Sequence, residues 1–247
     1  MQRIKNIFQE KLSCLDISLP DSTLSNLFNY FAMLTRENKK INLIGPMEDE
    51  RIIDYLFMDS LSFLEHFHIE SNHKIVDLGT GAGFPGLVIK IARPDIHITL
   101  IDSSQKKINF VKKVCCSLSI DEITFFSGRV EEAGRSPEYR EKYDFVLSRA
   151  VADLPVLVEF CAPLLKKGGK LVAWKGKKHV KEIKRLGKAY LLVGLDAPDI
   201  KINRSLGEDW SSWLVSFSKV METPERFPRS YQAIKRKSIE LLNSKVY

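Results

Sequence analysis

The run Ile75-Val-Asp-Leu-Gly79-Thr-Gly81-Ala-Gly83-Phe-Pro-Gly86 decides how the rest of the chain is read. Its first four residues end an apolar stretch that starts at Lys74, and its glycines turn the chain out of that stretch. Glycine permits a tight turn and lets the backbone approach a ligand that side chains would keep out. Pro85 suits the first turn of a helix, where its missing N–H has no helical partner anyway. The segment therefore reads as strand, glycine turn and helix, the unit from which open α/β sheets are assembled.

Downstream of that unit, short apolar runs alternate with amphipathic stretches. Lys74 to Leu78, His97 to Asp102, Glu122 to Phe126, Tyr143 to Leu147 and Lys170 to Trp174 read as strands. The intervening helices run to about Ala92, from Gln105 to Leu118, and from Asp153 to Leu165, the last stopped by Gly168-Gly169. This alternation predicts right-handed crossovers and a parallel sheet. A basic helix begins after Lys178, and Asp199 to Asn203 with Ser212 to Phe217 can form a terminal antiparallel pair. The expected fold is α/β: a mostly parallel seven-stranded sheet with helices on both faces. Upstream, residues 1–70 read as a helical extension, with one apolar stripe through Leu24, Leu27, Phe28, Phe31 and Leu34 and a second helix from Arg51 to His66. Residues 71–221 form the ligand-binding domain and 222–247 a basic tail.

Charge is unevenly spread over the 247 residues. The net charge is +7, yet Lys166 to Lys188 holds ten Lys or Arg against the single acid Glu182. The rest of the chain is slightly acidic, so the excess is local, as expected for contact with a polyanion. No apolar run is long enough for a membrane span. Met1 to Glu10 mixes acids and bases where a secretory signal would be apolar, so the cytoplasm is the expected compartment. Cys14, Cys115, Cys116 and Cys161 form no C-x-x-C pair, and no Cys/His cluster has zinc spacing, so no metal is expected.

Two ligands compete for the glycine turn. Gly81-x-Gly83-x-x-Gly86 matches the dinucleotide fingerprint, which would make the chain an NAD-dependent oxidoreductase. In that motif, however, the first glycine comes directly after the strand and the helix N-terminus meets a pyrophosphate. Here Asp77-Leu-Gly-Thr-Gly81 comes first and lengthens the turn, a form typical of methyltransferases using S-adenosylmethionine. Asp77 places negative charge beside the methionyl ammonium, and Gly79, Thr80 and Gly81 form the bend. Asp102 ends the second strand, where a carboxylate accepts hydrogen bonds from ribose hydroxyls.

The ordered set Asp77-Leu-Gly-Thr-Gly-Ala-Gly-Phe-Pro-Gly86, Arg93-Pro94, Leu100-Ile-Asp-Ser103 with Lys106-Lys107, Gly128-Arg-Val-Glu-Glu132, Ser148-Arg-Ala150 and Trp174-Lys-Gly176 resembles the glucose-inhibited division protein B family. Asn38-Lys-Lys-Ile-Asn-Leu43 and Asp59-Ser-Leu61 extend the resemblance upstream. These are the small-subunit (16S) ribosomal RNA guanine-N7 methyltransferases, of Rossmann-like class I fold. The resemblance implies that Gly79 and Phe84 line a cofactor pocket, that Val130 and Glu131 lie beside the adenine, and that Arg149 stands at the pocket's edge. Two places depart from the family pattern. Leu56 stands where a histidine is usual, and the motif around Phe227-Pro-Arg229 lacks its usual glycine.

What is missing also informs. Methylation at carbon-5 of a pyrimidine needs a cysteine nucleophile, and none is placed at the end of the fourth strand, since Cys161 and the Cys115-Cys116 pair read as mid-helix residues. Methylation of an exocyclic amine usually employs an Asp/Asn-Pro-Pro-aromatic turn, whereas the chain has Ser148-Arg-Ala-Val151. Guanine N7 has a lone pair and no proton to lose, so its methylation needs alignment more than acid–base help. A donor to the neighbouring O6 would orient the base. Arg149 is the candidate for that, or for holding the cofactor carboxylate or a phosphate. Lys106, Arg129, Lys175, Lys177 and Lys178 fall at strand ends on the same edge, a cationic collar suited to the phosphates of small-subunit ribosomal RNA or a ribosomal particle. Another RNA or a nucleotide is the alternative substrate.

Overall fold

In the computed structural model, which describes residues 2–15, 17–203 and 212–239, the strands in chain order are β1 (Lys74–Leu78), β2 (His97–Asp102), β3 (Ile123–Ser127), β4 (Tyr143–Arg149), β5 (Leu165–Lys175), β6 (Asp199–Asn203) and β7 (Ser212–Ser218). They hydrogen-bond in the order β3-β2-β1-β4-β5-β7-β6. The first five pair in parallel, while β7 runs antiparallel to both β5 and β6. The strand order reverses beside β1, which places a crevice between the carboxyl ends of β1 and β4, where open α/β sheets bind ligands.

Strands buried on both faces are mostly apolar, and β1 follows that rule except at the buried Asp77. Its Ile75 packs into one core cluster, and Val76 and Leu78 pack into the other. The first cluster joins the sheet to α6 (Gly86–Ala92), α7 (Gln105–Ser117) and the N-terminal helices α1 (Gln2–Cys14) and α2 (Asp21–Ile41). The second joins it to α8 (Val130–Arg135), α9 (Leu154–Cys161) and α10 (His179–Leu186). Helices thus cover both faces, as expected.

Two expectations need correction. Gly168-Gly169 does not stop a helix: α9 ends at Cys161, and a 3₁₀ turn at Ala162–Leu164 leads into β5. The glycine pair lies inside β5, where the pairing with β4 shifts register. Gly168 takes φ +87°, and a Cβ on Gly169 would lie under 3.0 Å from the carbonyl oxygens of Tyr143 and Asp144. Second, residues 51–66 are not one regular helix. A short α3 (Asp49–Ile52) passes into a π-helical turn at Ile53–Met58, then α4 (Asp59–Leu61) and α5 (Phe63–His66). The C-terminal segment, expected as a basic tail, is docked as far as residue 239. Arg229 grips Glu159, which is fully buried, with side-chain bonds of 2.8 and 2.7 Å. Arg140 donates to the carbonyls of Phe227 and Thr223, and Ser230 caps α11 (Tyr231–Arg236). Residues 240–247 of the expected tail lie outside the described residues.

Candidate active site

The glycine turn is built by backbone hydrogen bonds that its left-handed residues make possible. Gly79 (φ +69°) and Thr80 both donate to the Ile101 carbonyl, at 2.8 and 2.9 Å. Asp102 ties the turn from the neighbouring strand: one carboxylate oxygen accepts from Gly81 N–H and the other from Ser104 N–H, each at 2.8 Å. Each oxygen keeps a further lone pair for a ligand hydroxyl. Asp77 Oδ2 accepts from Gly86 N–H at 2.9 Å, joining the end of β1 to the start of α6.

Unpaired groups concentrate here. Among the described residues, Asp77 Oδ1, Thr80 Oγ1, Ser148 Oγ and Arg149 Nη1 are buried with no hydrogen-bond partner. All four stand at the ends of β1 and β4, adjacent strands whose register pairs Leu78 with Ser148. Buried polar groups are nearly always satisfied, so a cluster of exceptions marks a place where a polar ligand belongs. Burial pushes the Asp77 carboxyl up to about 6, opposed first by the Thr80 hydroxyl and then by the Gly86 N–H. The Thr80 hydroxyl is near enough to favour the charged carboxylate, although it falls short of hydrogen-bond geometry. Burial also lowers the Arg149 guanidinium, and the carboxylates of Asp59 and Asp77 hold it up.

Arg149 ends β4 and lines a cavity of about 670 Å³ beside the glycine turn. Trp174, Val151 and Lys175 form other parts of its wall, and Lys177 and Lys178 stand at its exposed margin. No cysteine lines it. Burial pushes the Cys115 thiol up to about 12 and raises Cys161 too, so neither is an active nucleophile. Val151 divides cavity from turn: a Cβ on Gly79 would lie under 3.0 Å from its side chain.

The other expected site residues are spread between core and surface. Phe84 is buried, stacked on Tyr30 at 5.3 Å and edge-on to Phe57 at 5.2 Å, so its ring belongs to the aromatic core under the turn. Tyr30 reinforces that link by donating to the Ala82 carbonyl. Val130 opens α8 and does not sit in a loop, and Glu131 comes next, with Arg129 3.7 Å away. Lys106, Arg129, Lys177 and Lys178 are exposed. Lys175 is set apart from them. Only 9 % of its side chain is exposed, and its Nζ is held by the Ala152 carbonyl at 2.6 Å and by Glu182 at 2.8 Å.

Sequence reading missed the partners that fix these groups. Asp59 lies 3.1 Å from Arg149 Nη2 and is buried, Tyr55 offers its carbonyl to the same nitrogen, and Trp174 Nε1 donates to the Asp59 carbonyl at 2.9 Å. Only the Asp59-Ser-Leu61 resemblance hinted that this stretch had a role.

The family model described as rRNA small subunit methyltransferase G (GidB) matches residues 23–205. A protein named ribosomal RNA small subunit methyltransferase G from Alkaliphilus oremlandii is 37% identical over 227 residues, covering 92% of this chain and 95% of its own length. Its namesake from Clostridium botulinum (strain Loch Maree / Type A3) is 39% identical over 231 residues, covering 94% and 97%. The fold is similar to a crystallised SAM-dependent methyltransferase from Aquifex aeolicus, with TM-score 0.52, 14% identity, and coverage of 68% of this chain and 93% of that one. It is also similar to a 16S rRNA (adenine-N(1))-methyltransferase from Catenulisporales acidiphilia crystallised with cosubstrate SAM, with TM-score 0.50, 14% identity, and coverage of 62% and 88%.

Proposed function

This chain belongs to the rRNA small subunit methyltransferase G family, and from that premise we propose that it transfers a methyl group from S-adenosylmethionine to N7 of a guanine in small-subunit (16S) ribosomal RNA. The observation that carries the reading is the cluster of buried, unpartnered polar atoms at the ends of β1 and β4. Asp77 Oδ1 is an acceptor for the methionyl ammonium, and Arg149 Nη1 is a donor for the methionyl carboxylate or for guanine O6. Asp102, whose oxygens each retain a lone pair, faces the ribose hydroxyls. Val130 and Glu131 flank the adenine, and Gly79, Thr80 and Gly81 form the bend around the methionyl chain. Phe84 keeps that bend in shape from below.

The cofactor, when bound, supplies an electrophilic methyl on a sulfonium. Guanine N7 would accept that methyl through its lone pair, leaving the cofactor as a neutral thioether. N7 gives up no proton, so the protein needs no general base at this step. Its contribution is to hold the base in line and exclude water, which can be worth an effective molarity of ~10⁵ M or more. The cavity walled by Trp174, Val151 and Arg149 suits that task. Lys106, Arg129, Lys177 and Lys178 supply exposed positive charge for RNA phosphates, while Lys175 shapes the cavity through Glu182. Cytoplasmic location and a ribosomal particle as partner belong to the same reading.

The test is methyl transfer from labelled S-adenosylmethionine into small-subunit particles lacking the modification, with mass-spectrometric mapping of the modified base. Incorporation at a single guanine N7 is expected. Label at another atom or base would overturn the N7 assignment, and no incorporation into RNA would overturn the substrate.

A further inference from the structure

The N-terminal helices pack against the sheet, yet their most irregular turn does something packing does not require. In an α-helix the Asp59 N–H would bond to the Tyr55 carbonyl, four residues back. The π-helical turn Ile53–Met58 shifts that bond by one residue, and the Asp59 N–H donates to the Asp54 carbonyl. The Tyr55 carbonyl, released from that partner, accepts from Arg149 Nη2. Asp59 then presents its carboxylate to the same nitrogen at 3.1 Å, with 1 % of its side chain exposed. π-Helical turns are rare and recur at functional sites. Here the turn delivers two acceptors to one guanidinium nitrogen.

Asp59 is itself held. Trp174 Nε1 and the Ser62 hydroxyl both donate to its carbonyl, at 2.9 and 2.8 Å. Trp174 lies near the end of β5 and lines the same cavity as Arg149 and Asp59. With Nη2 engaged in this way, Nη1 remains buried and without a partner. A flexible arginine has thus been reduced to one pose, with Nη1 in reserve.

Resting on the proposed role of Arg149, we propose that Asp59 and the π turn before it are positioning elements of the methyl-transfer site: they fix Arg149 so that its free donor meets the ligand. The N-terminal helical segment is then a working part of the active site. Asp59 acts on the reaction through Arg149.

The experiment is a double-mutant cycle on the full-length protein, using Asp59→Asn, Arg149→Ala and their combination. Methyl transfer to small-subunit particles is measured as kcat and KM per folded molecule, with folded fraction taken from circular dichroism. Asp59→Asn keeps the shape and removes the charge. We expect kcat to fall about 10- to 100-fold, as a misplacement of about 1 Å can produce, with KM for the particle changed less than about two-fold. Arg149→Ala should lose at least as much, and adding Asp59→Asn to it should lower kcat no further than about two-fold, because groups acting as one unit are not additive. Trp174→Phe, which removes the donor to the Asp59 carbonyl and keeps an apolar wall, should show a smaller fall in kcat that also vanishes without Arg149. If Asp59→Asn does not fold, this second variant carries the cycle. Equal losses from Asp59→Asn, or from Trp174→Phe in its place, with and without Arg149 would overturn the proposal, as would an unchanged kcat per folded molecule. An Arg149→Ala protein with full kcat would overturn the underlying reading of Arg149 instead.

Discussion

Replacing Gly79 with alanine tests the shape of the turn directly. Gly79 sits at φ +69°, and a Cβ there would lie under 3.0 Å from the Val151 side chain. Two penalties therefore combine. A left-handed backbone costs alanine roughly 1–2 kcal/mol, and forcing a methyl into filled space costs typically about 1–3 kcal/mol. Gly81 separates them, since its φ is +58° but the nearest atom to a Cβ is 3.9 Å away. Gly81→Ala should lose only the first part, roughly 1–2 kcal/mol, and Gly79→Ala roughly 2–5 kcal/mol. At about 2–4 °C per kcal/mol for a chain of this size, Gly79→Ala should melt roughly 2–12 °C below Gly81→Ala. Calorimetric melting of both proteins gives the comparison. Adding Val151→Ala should recover the clash part only in the Gly79→Ala background, with a coupling of about 1–3 kcal/mol. Equal melting temperatures for the two glycine variants, with no coupling to Val151, would refute the assignment of Val151 as the wall between turn and cavity.

Asp77 carries a pH signature. Its folded value of about 6 lies above the ordinary aspartate value of 3.8, so the native state binds the proton more tightly than the unfolded one. Stability should fall as pH rises from about 4 to about 6, by an amount on the order of 3 kcal/mol. Asp77→Asn should flatten that slope in denaturant titrations and abolish S-adenosylmethionine binding; an unchanged slope would place the titration elsewhere. Arg229→Ala strands the fully buried carboxylate of Glu159 and should cost about 3–5 kcal/mol in chemical denaturation, whereas a loss under about 1 kcal/mol would show the C-terminal clasp to be dispensable. On RNA, Lys177→Ala and Lys178→Ala should each make the plot of log affinity against log salt shallower by about 0.7 for single-stranded sites. Lys175→Ala, whose ammonium is already paired with Glu182, should leave that slope alone, and slopes measured by filter binding will show whether the exposed pair or the buried lysine meets phosphate.

Much of this molecule is legible in its sequence because parallel strands advertise themselves. The sequence predicts β1 and β2 from Lys74 to Leu78 and from His97 to Asp102, and they occupy those residues. Both are apolar runs with abrupt polar or glycine borders, a local signal. Gly168-Gly169 misleads because glycine signals a break without saying of what. The carbonyls of Tyr143 and Asp144 that exclude a side chain there come from another strand. The π turn is invisible for a related reason. Residues 51–66 keep helical spacing, and the extra residue in the turn is justified by Arg149, far away in sequence. Arg149 itself is legible from its place after a strand, but not its partners Asp59 and Tyr55. Lys175 shows the same limit, since a basic run displays its charges without showing which of them Glu182 has claimed.

The reversed strand also sets the order in which the sheet can be completed as the chain is made. β6 precedes β7 in the chain, yet β6 pairs with β7, and β7 pairs with β5. Until residues 212–218 have been synthesised, β6 has no neighbour and the edge of β5 stands open. During translation, β1 to β5 can assemble in succession, because each finds its partner among strands already made. The last insertion cannot proceed that way, and it waits for residues 212–218. An open edge of this kind invites pairing with other chains. A stalled or truncated product ending before Ser212 should therefore be captured by chaperones or aggregate, even though both strands that border the crevice, β1 and β4, are already present.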